Sequence, residues 1–123
     1  PLYPHPSLNS PMWLCTQLGF YRIVRKSPDT FHIRARCLGD LDALTEAIGL
    51  PEPVRSFEGS DYPWRIICDP GDLTRFFALM AASIAYDNFK SAIARHPAQK
   101  RKTAAYHDIH HRMVEWQQEH TPS

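Results

Sequence analysis

Hydrophobic residues between Met12 and Cys37 fall into three short runs separated by turn-forming residues. The runs are MWLCTQL, FYRIVRK and FHIRARC, and they are separated by Gly19 and by the segment SPDT. Each run is rich in β-branched or aromatic residues, which is typical of strands. The pattern predicts a three-stranded antiparallel meander.

The third run alternates between apolar and basic residues. Every second position of Phe31–Cys37 is apolar, and the positions between them are His32, Arg34 and Arg36. Successive side chains of a strand point to opposite faces of the sheet. The run therefore predicts one buried face and one face that carries arginine.

The spacing then changes to that of a helix. Leu41, Leu44 and Ile48 recur at i, i+3 and i+7, and Gly49 follows them, which predicts a helix of about ten residues. The segment PVRSF is expected to be an edge strand because of its leading proline. YPWRIIC alternates again and predicts a strand that adds Arg65 to the basic face.

The segment DPGDL predicts the start of a second helix, since Asp69 can accept from the open amides and Pro70 suits the first helical position. The apolar stripe expected for this helix comprises Leu73, Phe76, Phe77, Met80 and Ile84. The helical spacing of the apolar residues is interrupted at residues 87–88, which predicts a break and a short helix before Pro97. A final helix is predicted from about Lys102 to Glu119.

The element order is therefore β-β-β-α-β-β-α followed by C-terminal helices. We expect an α+β fold with an antiparallel sheet of about five strands and helices on one face. Without its first strand, the order is that of a ferredoxin-like unit whose last strand has moved to the front, so a permuted ferredoxin-like fold is expected. Residues 1–11 are predicted to be a proline-rich irregular arm, 12–119 a single domain and 120–123 a tail.

Composition narrows the classes of function. The net charge of +1 provides no overall field that would gather a polyanion. No apolar run approaches the roughly 18 residues that span a bilayer, so no membrane partner is expected. The three cysteines are widely spaced and form no C-x-x-C pair, which argues against a disulfide framework and favours the cytoplasm. No phosphate loop or dinucleotide fingerprint is present, and no cofactor is predicted.

Three histidines lie close together in the last predicted helix. His107 and His111 are one turn apart and can share a metal, but no third ligand is evident. They fall nearly opposite the stripe expected to be buried, and His110 lies at its border. That stripe comprises Ala105, Tyr106, Ile109, Met113 and Trp116. A solvated polar face is the favoured interpretation, and a metal-dependent hydrolase that uses His107 and His111 is the alternative.

The basic sheet face is the first candidate binding surface. It is predicted to carry His32, Arg34, Arg36 and Arg65, with Arg22 or Arg25 from the second strand and Trp13 or Tyr21 as an aromatic. Arginines beside aromatic rings on an open sheet can hold single-stranded nucleic acid. The aromatic consensus of an RNA-recognition motif is absent. Arginine and aromatic residues are also enriched in protein interfaces.

A second candidate surface is the predicted corner between two helices. It comprises Tyr86, Asp87, Asn88 and Lys90, which combine aromatic and charged groups at an element boundary. Such junctions more often contain a capping network than a pocket.

Three segments resemble a family of small bacterial proteins. They are MWLCTQLGFY at residues 12–21, IAYDNFK at 84–90 and the segment from Tyr106 to Met113. Members of that family begin M-W-x-x-T-x-x-G-F-F-S-I-V and carry I-D-Y-x-N-F-K and a late Y-x-x-V-W-x-x-M. The chain departs from the pattern at Arg22, Ala85 and His110. The family carries no assigned activity, so the resemblance implies a fold without a chemistry, and it favours Met12 as the natural start.

The sequence thus favours a small non-enzymatic cytoplasmic binding or regulatory domain. We expect it to act through contact with a protein partner or through self-association as a homodimer. Single-stranded nucleic-acid binding through the arginine-bearing face is the first alternative, and the metal-dependent hydrolase is the second.

Overall fold

The computed structural model describes residues 12–57, 59–84 and 88–120. The predicted arm at residues 1–11 lies outside this part of the chain. The chain divides into two compact units, Pro1–Ala85 and Tyr86–Ser123, and the first contains the sheet. The expectation of a single domain over residues 12–119 stays a prediction.

The first unit contains a five-stranded antiparallel sheet, which confirms the predicted α+β class. Its strands, which lie in the order β1-β2-β3-β5-β4, are β1 (Met12–Cys15), β2 (Phe20–Ser27), β3 (Thr30–Ala35), β4 (Val54–Arg55) and β5 (Trp64–Cys68). The segment PVRSF contributes the edge strand β4, as predicted. The relationship to a permuted ferredoxin-like fold stays a prediction.

Strand β1 is shorter than predicted because Thr16 closes a turn directly after it. The Oγ1 atom of Thr16 accepts hydrogen bonds from the backbone N–H groups of Leu18 at 3.1 Å and Gly19 at 3.0 Å. A threonine side chain that bonds its own backbone in this way competes with a sheet ladder. The strand therefore ends at Cys15.

Two helices cover one face of the sheet, as expected. Helix α1 (Leu38–Ile48) is followed by its C-cap Gly49, whose φ of 68° is the left-handed conformation that glycine tolerates best. Helix α2 (Pro70–Ala82) begins with a capping box between Asp69 and Asp72, which confirms the predicted start. Both helices contact β3 and β5.

The hydrophobic core lies between these helices and the sheet. Ile23 pairs with Ile33 and Ile33 pairs with Ile66, so the three form one buried row beneath the helices. Tyr21 is fully buried among them and donates a hydrogen bond to the backbone oxygen of Asp40 at 2.9 Å. Ile84 was expected in the stripe of α2 but is 66% exposed, because the helix ends at Ala82.

The second unit contains α3 (Phe89–Arg95), a single 3-10 turn (Lys100–Lys102) and α4 (Thr103–His120). The break before α3 is as predicted, and the Asn88 side chain caps it by accepting from the Ser91 N–H at 3.0 Å. The predicted buried stripe of α4 is wrong except at Tyr106, which is 5% exposed.

The remaining stripe residues of α4 lie at the surface: Ala105, Ile109, Met113 and Trp116. Helix α3 has 7 residues and α4 has 18, so within this unit α3 can cover only part of its neighbour. Among the described helices, neither α4 nor any other is both long and apolar enough to cross a membrane.

Candidate anion-binding site

Strand pairing places three arginines side by side on the sheet face opposite α1 and α2. Arg22 of β2 pairs with Arg34 of β3, and Arg34 pairs with Arg65 of β5. Residues paired across antiparallel strands project from the same face. Neighbouring strands are about 4.8 Å apart, so the three Cα atoms span about 10 Å. We call Arg22, Arg34 and Arg65 the arginine row.

Apolar side chains flank this row at both edges of the sheet. Trp13 of β1 pairs with Arg22 and is 66% exposed, while Val54 of β4 pairs with Arg65 and is 43% exposed. Ile67, which pairs with His32 in the adjacent row, is 48% exposed. This face therefore has a row of positive charge with exposed apolar residues at its margin.

The structure brings His32, Arg34 and Arg65 together on this face, as the alternation predicted. The register selects Arg22 rather than Arg25, because Arg25 pairs with Phe31 and belongs to the opposite set of positions. Tyr21 is not the aromatic of this face, since it lies in the core.

Arg36 lies beyond the end of β3 and stacks on an aromatic ring. Its guanidinium carbon is 4.2 Å from the ring centroid of Tyr62, and that of Arg22 is 5.5 Å from the same centroid. Tyr62 is 5% exposed and follows the loop that leads into β5. The sequence pattern did not assign Tyr62 to this surface, because a loop position has no periodicity that reveals where its ring packs. The contact between Arg22 and Tyr62 helps to hold one end of the row.

Among the described residues, no carboxylate forms an ion pair with the arginine row. The ion pairs found in the described part of the chain involve other cationic residues, namely Arg75, His111 and Arg112. The Nε atoms of Arg22, Arg34 and Arg65 are buried without a hydrogen-bond acceptor. Burial lowers the pKa of Arg34, and the charges of Arg65 and Arg22 lower it further. Burial also lowers the pKa of Arg65. The row is thus a cluster of like charges with unused donors.

His32 lies beside the row and is neutral at physiological pH. Its pKa is lowered to about 4, first by burial and then by the charges of Arg65, Arg34 and Lys26. The Nη1 atom of Arg65 is 3.3 Å from Nδ1 of His32, so the neutral ring accepts from the guanidinium. The Nη2 atom of Arg65 donates to Oγ of Ser56 at 2.5 Å. These contacts fix the orientation of Arg65.

The second predicted surface is described only in part. Tyr86 and Asp87 lie outside the described residues. Asn88 is the cap of α3, so its side chain is engaged in the capping contact foreseen for such a junction. Lys90 lines a cavity of about 280 Å³ with Phe89, Tyr106 and His110.

The histidine pair of α4 is exposed, as the favoured interpretation expected. The rings of His107 and His111 are stacked with centroids 6.4 Å apart, and Nε2 of His111 is 2.9 Å from a carboxylate oxygen of Glu115. Within residues 12–57, 59–84 and 88–120, no group of three potential metal ligands is present.

Cys68 is buried, which raises the pKa of its thiol to about 12 and keeps it protonated.

Comparison with known proteins gives no relative. Neither a family model, nor a curated protein, nor a solved structure matches the chain. The resemblance to small bacterial proteins therefore stays a prediction.

Proposed function

We propose that this chain is a non-enzymatic binding domain that holds an acidic segment of a partner protein on its arginine row. The observation that supports this function is the direct pairing of Arg22 with Arg34 and of Arg34 with Arg65. None of the three has a carboxylate partner among the described residues.

Like charges that face each other across a sheet are destabilising. Natural proteins keep such local violations mainly at functional sites. Carboxylates of a bound segment would remove the repulsion and accept charge-assisted hydrogen bonds from the guanidiniums. Bidentate pairing of arginine with carboxylate would also fix the register of the segment.

The apolar margin favours a protein segment over a long polyanion. Trp13, Val54 and Ile67 are exposed next to the row and offer contacts for alkyl or aromatic side chains. Alternate side chains of an extended segment lie on one face, about 6.8 Å apart, so two carboxylates can reach the row together. The net charge of +1 would attract a long polyanion only weakly.

A synthetic peptide tests this function. A blocked, fluorescein-labelled peptide that alternates Val and Glu is titrated with the protein, and binding is measured by fluorescence polarisation. We expect saturable binding that weakens about tenfold or more in Arg34→Met, because the central guanidinium is lost. Arg101→Met is the matched control, since it removes the same charge from an exposed position in the other unit. Equal binding by both variants would count against the proposal.

Single-stranded nucleic acid is the second candidate, and the exposed ring of Trp13 at the end of the row favours it. A base stacked on this ring could place its phosphates over the guanidiniums. Oligothymidine serves as the probe. Three neutralised phosphates would give a slope of about −2 for log affinity against log salt. Oligothymidine binding that exceeds peptide binding, with this slope, would make nucleic acid the ligand.

A further inference from the structure

A cavity of about 360 Å³ opens where the arginine row meets the loop before β5. Arg22, Arg34 and Arg65 all line it, and Lys26 extends it along β2. Asp61 is the only carboxylate among its described lining residues. The cavity is thus a site of concentrated positive charge within the broader surface proposed above.

The described lining residues carry a net positive charge. Among the described lining residues, four cationic side chains accompany the carboxylate of Asp61. A phosphate monoester carries a charge of about −2 near pH 7 and has three strong acceptor oxygens. It therefore matches a site where three guanidiniums converge better than the side chain of Glu or Asp does.

The hydrogen-bonding capacity of the row supports the same ligand. The Nε atoms of the row are buried, so a ligand would be met by the terminal nitrogens, and those of Arg22 and Arg34 have no hydrogen-bond acceptor among the described residues. Planar guanidiniums bind phosphate oxygens through two parallel hydrogen bonds. The contacts of Arg65 with His32 and Ser56 orient its side chain before any ligand arrives, which reduces the entropy lost on binding.

The cavity is large enough to hold the phosphate together with part of the chain that bears it. Its volume of about 360 Å³ falls within the range of small-ligand pockets. Phe57 lines it and is 76% exposed, so it offers an apolar wall to the chain that bears the phosphate.

We infer that the cavity binds a phosphate monoester carried by a side chain of the partner segment, with the phosphate held by Arg22, Arg34 and Arg65. This inference rests on the proposed function and specifies its ligand. It makes the domain a reader of protein phosphorylation, in which arginine clusters commonly take part.

The test compares two peptides that differ at one residue. The Val/Glu peptide above is made with its central Glu replaced by phosphoserine, and both peptides are titrated by fluorescence polarisation. We expect the phosphopeptide to bind about tenfold or more tightly near pH 7.5, and this advantage to shrink near pH 5.5, because the second pKa of the phosphate is about 6. The protein groups at the site, including His32, Lys26 and Asp61, are common to both titrations. The difference in affinity between the two peptides at each pH is therefore due to the phosphate.

Substitutions in the lining test whether the tighter binding of the phosphopeptide depends on the cavity. Arg22→Met should reduce the advantage of the phosphopeptide to about threefold or less, and Arg22→Lys should leave an intermediate advantage, because it keeps the charge but loses the planar fork. Arg101→Met should leave it unchanged. Far-ultraviolet circular dichroism of each variant verifies that it is folded.

The outcomes separate this inference from the function on which it rests. Equal binding of the two peptides would overturn the phosphate site and leave the acidic-segment function standing. Absence of binding by both would overturn both proposals. Free O-phosphoserine that binds as tightly as the phosphopeptide would overturn the protein-borne source and make the ligand a small phosphate ester.

Discussion

The Nη1 atom of Arg65 lies 3.3 Å from Nδ1 of His32, so a guanidinium donates to an imidazole whose pKa is lowered first by burial and then by the charge of that same guanidinium. Both residues are on the sheet face opposite α1 and α2. A protonated His32 would replace this hydrogen bond with a repulsion. The pair therefore links the protonation of one residue to the orientation of the arginine row.

This link predicts a pH dependence of stability. Because the folded-state pKa of His32 is about 4, below the ordinary value of 6.5, the unfolded chain binds the proton more readily between these values. The contribution of His32 is fully present above about pH 6.5 and is lost as the pH falls toward 4. We expect a loss below about 3 kcal/mol, since solvent screens this partly exposed group.

Urea unfolding at several pH values measures this loss, with His32→Gln for comparison. Glutamine keeps an acceptor near Arg65 but does not titrate, so the variant should lose less stability than the wild type between pH 6.5 and 4. Parallel curves for the two proteins would show that His32 is protonated as easily in the folded chain as in the unfolded one.

Two glycines give a matched pair of stability predictions. A Cβ atom at Gly19 would lie 2.7 Å from the side chain of Asp40 and 2.8 Å from the hydroxyl of Tyr21. Asp40 is 4% exposed and accepts from the Phe20 N–H at 3.2 Å, so it cannot move away without losing contacts. We expect Gly19→Ala to lower the free energy of unfolding by about 2 kcal/mol.

Gly39→Ala is the control for this substitution. Gly39 is in the first turn of α1, and a Cβ atom there meets nothing within 4 Å. Alanine should leave stability unchanged or raise it by up to about 1 kcal/mol, because it lowers the entropy of the unfolded chain. Thermal unfolding of both variants measures the difference. A Gly19→Ala protein as stable as Gly39→Ala would mean that the turn after β1 is looser than described.

The capping box of α2 gives a third prediction. Asp69 Oδ1 accepts from the Asp72 N–H at 2.7 Å, and Asp72 Oδ2 accepts from the Asp69 N–H at 3.1 Å. We expect Asp69→Ala to lower stability by about 1 kcal/mol. Glu46→Ala, at an exposed position inside α1, should change it by less than about 0.5 kcal/mol. Chemical denaturation measures the stability of both variants. Equal losses of stability would show that the Asp69 cap does not stabilise α2.

The sequence predicts the strands and helices of the first unit well, because each has a local signal. Alternation in Phe31–Cys37 predicts which residues of β3 face the helices, and the Asp69-Pro70 start predicts α2. The pairing of Arg22 with Arg34, and of Arg34 with Arg65, was not predictable in detail, since register depends on turn geometry and on contacts distant in sequence.

The prediction of a buried stripe on α4 was wrong for a different reason. A helical period identifies which side chains share a face, but it does not specify whether another element covers that face. Ile109, Met113 and Trp116 do share a face, yet they are 44%, 58% and 50% exposed. The short helix α3 is too small to bury them within the second unit.

The central claim is that the arginine row is a ligand site whose charges oppose folding until an anion binds. Urea unfolding of the wild type and Arg34→Met, with and without the Val/Glu peptide, tests it most directly. Without peptide we predict that Arg34→Met is the more stable by about 0.5 kcal/mol or more, because one of three like charges is gone. With peptide at about a hundred times the dissociation constant of the wild type, the wild type should gain about 2.7 kcal/mol and the variant, which binds at least tenfold more weakly, about 1.4 kcal/mol or less. A variant that is less stable than the wild type without peptide, and that gains as much from the peptide, would contradict the claim.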